Sequence, residues 1–189
     1  MLEPPLSLPT WQVRRANLDD LSQVVSLITT SFALIPHGFE WWLPILRLGI
    51  YEDLRQRCQA GSKSYLCLVA TALGSEQIVG TAEVSLRSPW FWQQFPQRYA
   101  YLANLAVHPN ERRQGVARRL LQASEAQVIR WQCDRLFLHV MENNQPAVSL
   151  YQQMGYEICR AEWDLMHQFF SQPQRLLLQK QLTPKIQQE

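Results

Sequence analysis

The chain has 189 residues, 47% hydrophobic and 18% charged, with a formal net charge of +2 and seven tryptophans. That length predicts one globular domain with an ample core, and the composition excludes both a disordered chain and one that grips nucleic acid through bulk positive charge. Four cysteines, Cys58, Cys67, Cys133 and Cys159, form no C-x-x-C pair, which argues for reduced thiols with no metal site and no disulfide framework.

Residues 1–10 are proline-rich and read as a loose lead-in without the features of a signal peptide. No stretch has the length and apolarity of a bilayer span, so a cytoplasmic protein with no membrane partner is expected. Trp11 to Ala16 predicts a first strand. Asn17-Leu18-Asp19-Asp20 then caps a helix whose apolar face carries Val24, Val25, Leu27, Ile28 and Phe32. Between residues 31 and 44, two prolines and a glycine interrupt an aromatic cluster with Phe39, Trp41 and Trp42, and Pro44 to Cys58 turns helical again. Ser64–Thr71 and Ile78–Leu86 read as strands joined by a turn at Gly74-Ser75. Residues 88–98 form an aromatic loop between Pro89 and Pro96, a contact surface or a packed one.

Tyr99 to Val107 is apolar on both alternating sets, with Asn104 the one strongly polar member, which suits a central strand covered on both faces. Beyond a basic turn, Ala117, Leu120, Leu121, Ser124, Val128 and Trp131 mark a helix with one buried stripe. Arg135–Met141 is a short strand. A helix from about Gln145 to Met154 follows, with Pro146 in its first turn and Gly155 as its stop. Tyr156–Arg160 and Arg175–Leu182 are the last strands, separated by a loop or short helix at 164–173. The order is β-α-α-β-β-β-α-β-α-β-β in a single domain over 11–183, with a tail at 184–189.

One junction breaks a local rule. Arg112, Arg113, Arg118 and Arg119 crowd the start of a helix, where the macrodipole and unpaired amides already supply positive potential. An anion held by those amides and screened by guanidinium groups reconciles them; a solvated basic helix start is the competing reading. Gly115, lacking a side chain, lets the backbone approach such an anion. No Gly-Lys-Ser/Thr follows, which excludes a Walker loop, and the second and third glycines of a dinucleotide fingerprint are missing.

The order Arg112-x-x-Gly115-x-Ala117, after a strand ending Asn104-Leu105-Ala106-Val107, resembles the acetyl-CoA pyrophosphate loop of the GNAT N-acetyltransferase superfamily. Its pattern there is Gln/Arg-x-x-Gly-x-Gly/Ala. A second stretch, Leu138 to Glu157, resembles the superfamily's strand, Asn, Ala and Leu-Tyr-x-x-x-Gly-Phe/Tyr run at Asn144, Ala147, Leu150, Tyr151, Gly155 and Tyr156. Leu138-His139-Val140 looks most like protein N-terminal acetyltransferases, some of which place Glu where His139 stands. The run Arg47 to Asp53 resembles the plastid and cyanobacterial branch. The resemblance implies an α/β (α+β) single-domain GNAT fold. Its central sheet is mixed and twisted, of about seven strands, with helices on both faces and two central strands splayed beside the cofactor.

Roles follow from the same resemblance. The backbone of Leu105, Ala106 and Val107 polarises the thioester carbonyl and pairs with pantetheine. Pyrophosphate falls to the backbone from Arg113 through Gln114, Gly115, Val116 and Ala117 to Arg118, in a motif that Arg112 opens. Asn144, in one motif with Ala147, contacts the pantetheine arm, and Tyr151 is the general acid toward the leaving sulfur. A primary amine arrives mostly as ammonium, since lysine titrates at about 10.4 and an α-amine at about 8. His139 is the candidate base, through a water, because imidazole titrates at about 6.5; Glu83, on a neighbouring strand, is the reserve. Periodicity alone also fits Tyr151 and His139 as core residues and Asn144 as a helix cap.

The expected activity is acetyl-CoA-dependent transfer to a protein or peptide amine by direct attack in a ternary complex, with no metal and no nucleic acid. Residues 31–44 and 164–173 would flank the acceptor groove. The alternatives are a small-molecule acceptor (polyamine, amino acid or drug-like amine) and a non-catalytic acetyl-CoA sensor. Monomer and homodimer are both compatible with the sequence.

Overall fold

Apolar alternation and helical periodicity become elements in the expected order. A computed structural model describes residues 11–31, 43–60, 63–88, 98–162 and 173–182. The lead-in at 1–10, the aromatic cluster with Phe39, Trp41 and Trp42, residues 89–97 and 163–172, and the tail at 184–189 lie outside those residues. The strands are β1 Trp11–Arg15, β2 Tyr65–Ala72, β3 Ile78–Arg87, β4 Tyr99–Val107, β5 Arg135–Met141, β6 Glu157–Glu162 and β7 Arg175–Gln181. The helices are α1 Leu21–Ser31, α2 Leu43–Gln59, α3 Val116–Arg130 and α4 Gln145–Gln153, with 3-10 turns at Leu18–Asp20 and Pro109–Glu111.

One seven-stranded sheet has the order β1-β2-β3-β4-β5-β7-β6. β1 pairs antiparallel with β2 from Trp11↔Ala72 to Arg15↔Leu68. The last strand inserts between β5 and β6, antiparallel to both, with Met141↔Arg175 and Glu162↔Arg175 at one end. β4 and β5 are parallel over Ala100↔Leu136, Tyr101↔Phe137 and Leu102↔Leu138. Both strands run on past that register, β4 to Val107 and β5 to Met141.

Contacts group the chain into two compact units, one of residues 1–62, 67–82 and 105–120, the other of 63–66, 83–104 and 121–189. In the first, Leu21, Val24, Leu54, Val69, Val116 and Leu120 are buried. Gly80 sets the approach of α3 to β3 there. A Cβ on it would stand 2.8 Å from Val116 Cγ1 and 3.0 Å from Leu120 Cδ1. In the second, Tyr99, Phe137 and Leu177 form a core cluster against which Tyr101 packs, the Tyr99 and Phe137 rings meeting edge-on at 5.5 Å.

Of the stripe expected on α3, Leu120, Leu121, Ser124 and Val128 are buried, Ala117 is half-buried, and Trp131 is half-buried just past the end of the helix. On α4 the burial centres on Val148 and Tyr151, while Ala147, Leu150 and Met154 are half-buried. The expectation that β4 is covered on both faces holds for one face only. Ala100, Leu102 and Ala106 are buried; on the other face Tyr99 is buried, but Tyr101, Ala103, Leu105 and Val107 are half-buried. Apolar side chains permit burial without compelling it, so alternation alone cannot tell a covered face from one left partly open.

The entry to α1 is fixed by charge. Arg14 donates to Asp20 through both terminal nitrogens, at 2.6 and 2.9 Å, and the Asn17 N–H donates to Asp20 Oδ2 at 2.6 Å. The hydrogen bond from Arg14 holds the Asp20 carboxyl below its usual range, against the opposing effect of burial. A depressed folded pKa means that this stabilisation is complete above the unfolded value of about 3.9 and is lost as pH falls through the folded one. Asp20→Asn should therefore cost about 1.5–3 kcal/mol at neutral pH. Urea melts at several pH values would show the variant's deficit shrinking toward pH 2.

Candidate active site

In the first unit, β4 ends at Val107 and the chain turns through Pro109–Glu111 into α3. The His108 N–H donates to Val79 O at 2.8 Å, anchoring the turn to β3. Arg112 Nε donates to Val107 O at 3.3 Å, and Gln114 Nε2 donates to Asn110 O at 3.3 Å and Glu111 Oε2 at 3.0 Å. These side chains are therefore spent on shaping the loop. Arg113 and Gly115 have φ of 64° and 84°, left-handed values that turn successive amides toward one side. A Cβ on Gly115 would meet nothing within 4 Å, so its φ, rather than crowding, selects glycine there. The earliest helical bond in α3 runs from Arg119 N–H to Gly115 O at 3.1 Å. The amides of Val116, Ala117 and Arg118 thus precede the ladder at the positive end of the helix. With Arg113, Arg118 and Arg119 exposed around them, the loop has the chemistry a diphosphate requires.

In the second unit, a carboxylate is buried inside the sheet. Glu83 is 2% exposed; its Oε2 accepts from Tyr65 Oη at 2.8 Å and its Oε1 from Asn104 Nδ2 at 2.6 Å. Asn104 has φ of 50°, a left-handed residue within a strand. The side chain of Glu83 thus grips the residue at which β4 departs from ideal strand geometry, two positions beyond its last residue in register with β5.

Nearby on β4, Tyr101 Oη lies 2.7 Å from His139 Nδ1. Arg87 stacks on the Tyr101 ring at 3.7 Å, and Arg175 donates to Tyr101 Oη at 3.5 Å. Tyr151 is 6% exposed, and its ring packs against Tyr156 at 5.7 Å. Burial pushes the Tyr151 phenol above its ordinary acidity range, and Tyr101 beside it adds to the rise. Asn144 caps α4, its Oδ1 accepting from the Ala147 N–H at 3.3 Å.

Of the residues expected from sequence, those from Arg112 to Arg118 form one loop, and His139 and Tyr151 are both near Tyr101. Both Glu83 oxygens accept hydrogen bonds, from Tyr65 and Asn104. Sequence reasoning missed Tyr65 and Tyr101 altogether and left Asn104 without a role. Its isolation in an apolar strand was the signal. Among the described residues, no three His, Cys, Asp or Glu side chains are grouped to hold a metal ion.

Comparison with known proteins bears on family and fold. The sequence model of the acetyltransferase (GNAT) family matches residues 36–156. The chain is similar to GCN5-related N-acetyltransferase 10, chloroplastic, of Arabidopsis thaliana, at 26% identity over 92% of this chain and 73% of that one. Three other Arabidopsis chloroplastic relatives match over shorter stretches, and the chain spans less than half of each. Among solved structures, the fold matches the PaiA N-acetyltransferase of Thermoplasma acidophilum in complex with coenzyme A, with a TM-score of 0.68, 17% identity, and 90% of this chain and 98% of that one covered. It also matches the ribosomal-protein-alanine N-acetyltransferase of Brucella melitensis, with a TM-score of 0.67, 20% identity, and coverage of 90% and 99%.

Forcing a β-branched residue into the left-handed region at position 115 costs at least about 1–2 kcal/mol. Gly115→Val should weaken coenzyme A binding by at least about tenfold by calorimetry, while Gly115→Asn, which tolerates that φ, should lose less. Gly80→Val should lower both affinity and melting temperature, because its methyl groups collide with Val116 and Leu120.

Proposed function

The chain belongs to the acetyltransferase (GNAT) family, and on that footing we propose that it acetylates a primary amine of a protein or peptide. It is an acetyl-CoA-dependent acyltransferase. The observation that carries the cosubstrate role is the loop from Arg113 to Arg118, with its two left-handed residues leading into the open end of α3. A protein acceptor is supported by the Leu138-His139-Val140 motif and by the name of the Brucella neighbour. The names of the Arabidopsis relatives favour a plastid-type setting over a plain cytoplasmic one.

The amide hydrogens of residues 113–118 hold the diphosphate, and the guanidinium groups of Arg113, Arg118 and Arg119 neutralise it. Leu105, Ala106 and Val107 offer backbone groups to the pantetheine arm and the thioester carbonyl. Asn144 presents its amide from the start of α4, where its Oδ1 is already committed to the Ala147 N–H. Acetyl-CoA supplies the acyl carbon that the amine attacks, with its thiolate as the leaving group.

Removing the ammonium proton falls to Tyr101 and His139. As Tyr101 Oη takes a proton from the amine, directly or through one water, its own proton passes to His139 Nδ1 across 2.7 Å. The products are a neutral amine, an unchanged phenol and an imidazolium. Glu83 leaves the list of bases, because a carboxylate bonded at both oxygens and 2% exposed is placed to hold Asn104 rather than to meet a substrate. Tyr151 faces the leaving group as a hydrogen-bond donor. Its phenol titrates above about 10 and a thiol at about 8.5, so complete proton transfer to the thiolate runs uphill and a donated hydrogen bond is what remains.

Incubation with acetyl-CoA and a peptide library bearing free N-termini and lysines, mapped by mass spectrometry, tests the acceptor class. Turnover of spermidine or free amino acids with peptides untouched would overturn it; no turnover of any amine would favour a sensor. Tyr101→Phe and His139→Ala should each lower kcat by about 10- to 100-fold. Combining them should cost little more than either alone, as expected for two members of one relay. Tyr151→Phe should reduce kcat while leaving coenzyme A affinity within about twofold.

A further inference from the structure

Tyr101 carries two guanidinium groups that the transfer reaction does not require. Arg87, at the end of β3, lies over the Tyr101 ring with its Cζ 3.7 Å from the centroid. Arg175, the opening residue of β7, reaches the hydroxyl of the same tyrosine from the strand beside β5, at 3.5 Å. Both side chains are exposed, and among the described residues no carboxylate pairs with either. Elsewhere in the protein the partly buried arginine at position 14 has its aspartate and Lys180 its glutamate, at 2.6 and 2.7 Å. The two cations around Tyr101 differ from those in having no carboxylate partner among the described residues.

Their position relative to the chemistry makes that difference informative. If Tyr101 Oη receives the acceptor's proton, the amine sits within a hydrogen bond, or one water, of an atom that Arg175 already touches. An ammonium brought there meets two positive charges. They favour its neutral form, which helps deprotonation, but they also oppose its arrival. A carboxylate close to the amine offsets that repulsion and matches the planar fork of a guanidinium. We propose that Arg87 and Arg175 form an acceptor subsite for a carboxylate, so that the preferred substrate is a peptide amine with an acidic side chain one or two residues away. A polyamine, cationic along its length, is the acceptor this arrangement opposes most. The inference rests on the proposed acetylation of peptide amines and on Tyr101 as the atom that receives the proton.

Two peptides differing only in Glu or Gln at the residue after the free N-terminus test it, with their lysines blocked. The expected kcat/KM ratio is about five- to tenfold in favour of Glu, and it should fall toward one as salt rises from about 0.05 to 0.5 M. Arg175→Gln and Arg87→Gln should each shrink the ratio, and the double variant Arg87→Glu with Arg175→Glu should invert it toward a Lys-containing peptide. Coenzyme A affinity, measured in parallel, should not follow the charge of the peptide or of these variants. Free glutamate and an amidated dipeptide serve as further arms. Acetylation of the amino acid ahead of the Glu peptide would move the carboxylate from a side chain to the α-position and overturn the peptide assignment. Equal rates for Glu and Gln peptides would sink the subsite. If neither peptide is acetylated at all, the failure lies in the proposed activity and not in the subsite alone.

Discussion

Glu83 is an acid inside a sheet, 2% exposed, and its cost is met by two donors, Tyr65 and Asn104, at 2.8 and 2.6 Å. Removing either donor would take a hydrogen bond from a buried carboxylate, so the three side chains hold one another in place. What they hold is a backbone conformation. Asn104 sits at φ of 50°, which asparagine tolerates better than other residues bearing a Cβ but which no strand adopts unforced. The residues that follow it, Leu105 to Val107, are those whose backbone the family resemblance assigns to the cosubstrate. A buried hydrogen-bond network thus fixes the backbone at Asn104, where that stretch begins.

The loop after β4 meets a different constraint, the placing of positive charge beside positive charge. Arginines at a helix start are unfavourable alone, and this protein keeps four of them at or near the entry to α3. Its loop side chains turn inward to shape the backbone, Arg112 to Val107 and Gln114 to Asn110 and Glu111. The remaining guanidinium groups stay outside. An anion bound as proposed, its oxygens on the backbone and its charge met by side chains, would account for a local rule broken at this junction and kept at α1. There the acids Asp19 and Asp20 occupy the first turn of the entering 3-10 segment.

Tyr101 joins matters that periodicity kept apart. Its ring packs against the Tyr99–Phe137–Leu177 cluster, its face carries Arg87, and its hydroxyl meets both His139 and Arg175. One side chain therefore connects the core, the candidate base and two exposed cations.

Read locally, the chain already contained its elements. Alternation in Tyr99–Val107, the buried stripe of α3, the cap at Asn144 and the stop at Gly155 are properties of neighbours within a turn or two, where side-chain spacing and backbone preference act directly. The loop motif was legible for the same reason, since its residues touch one another. Strand order was not, because pairing β7 between β5 and β6 depends on contacts far apart in the chain that no local pattern encodes. Nor was the bond between Glu83 and Asn104, 21 positions apart. The bond between Tyr101 and His139 spans 38 positions, and the approach of Arg175 to Tyr101 spans 74. Sequence determined which residues were chemically able to act; only the folded sheet decided which of them meet, because hydrogen bonds reach about 3 Å in space and take no account of distance along the chain.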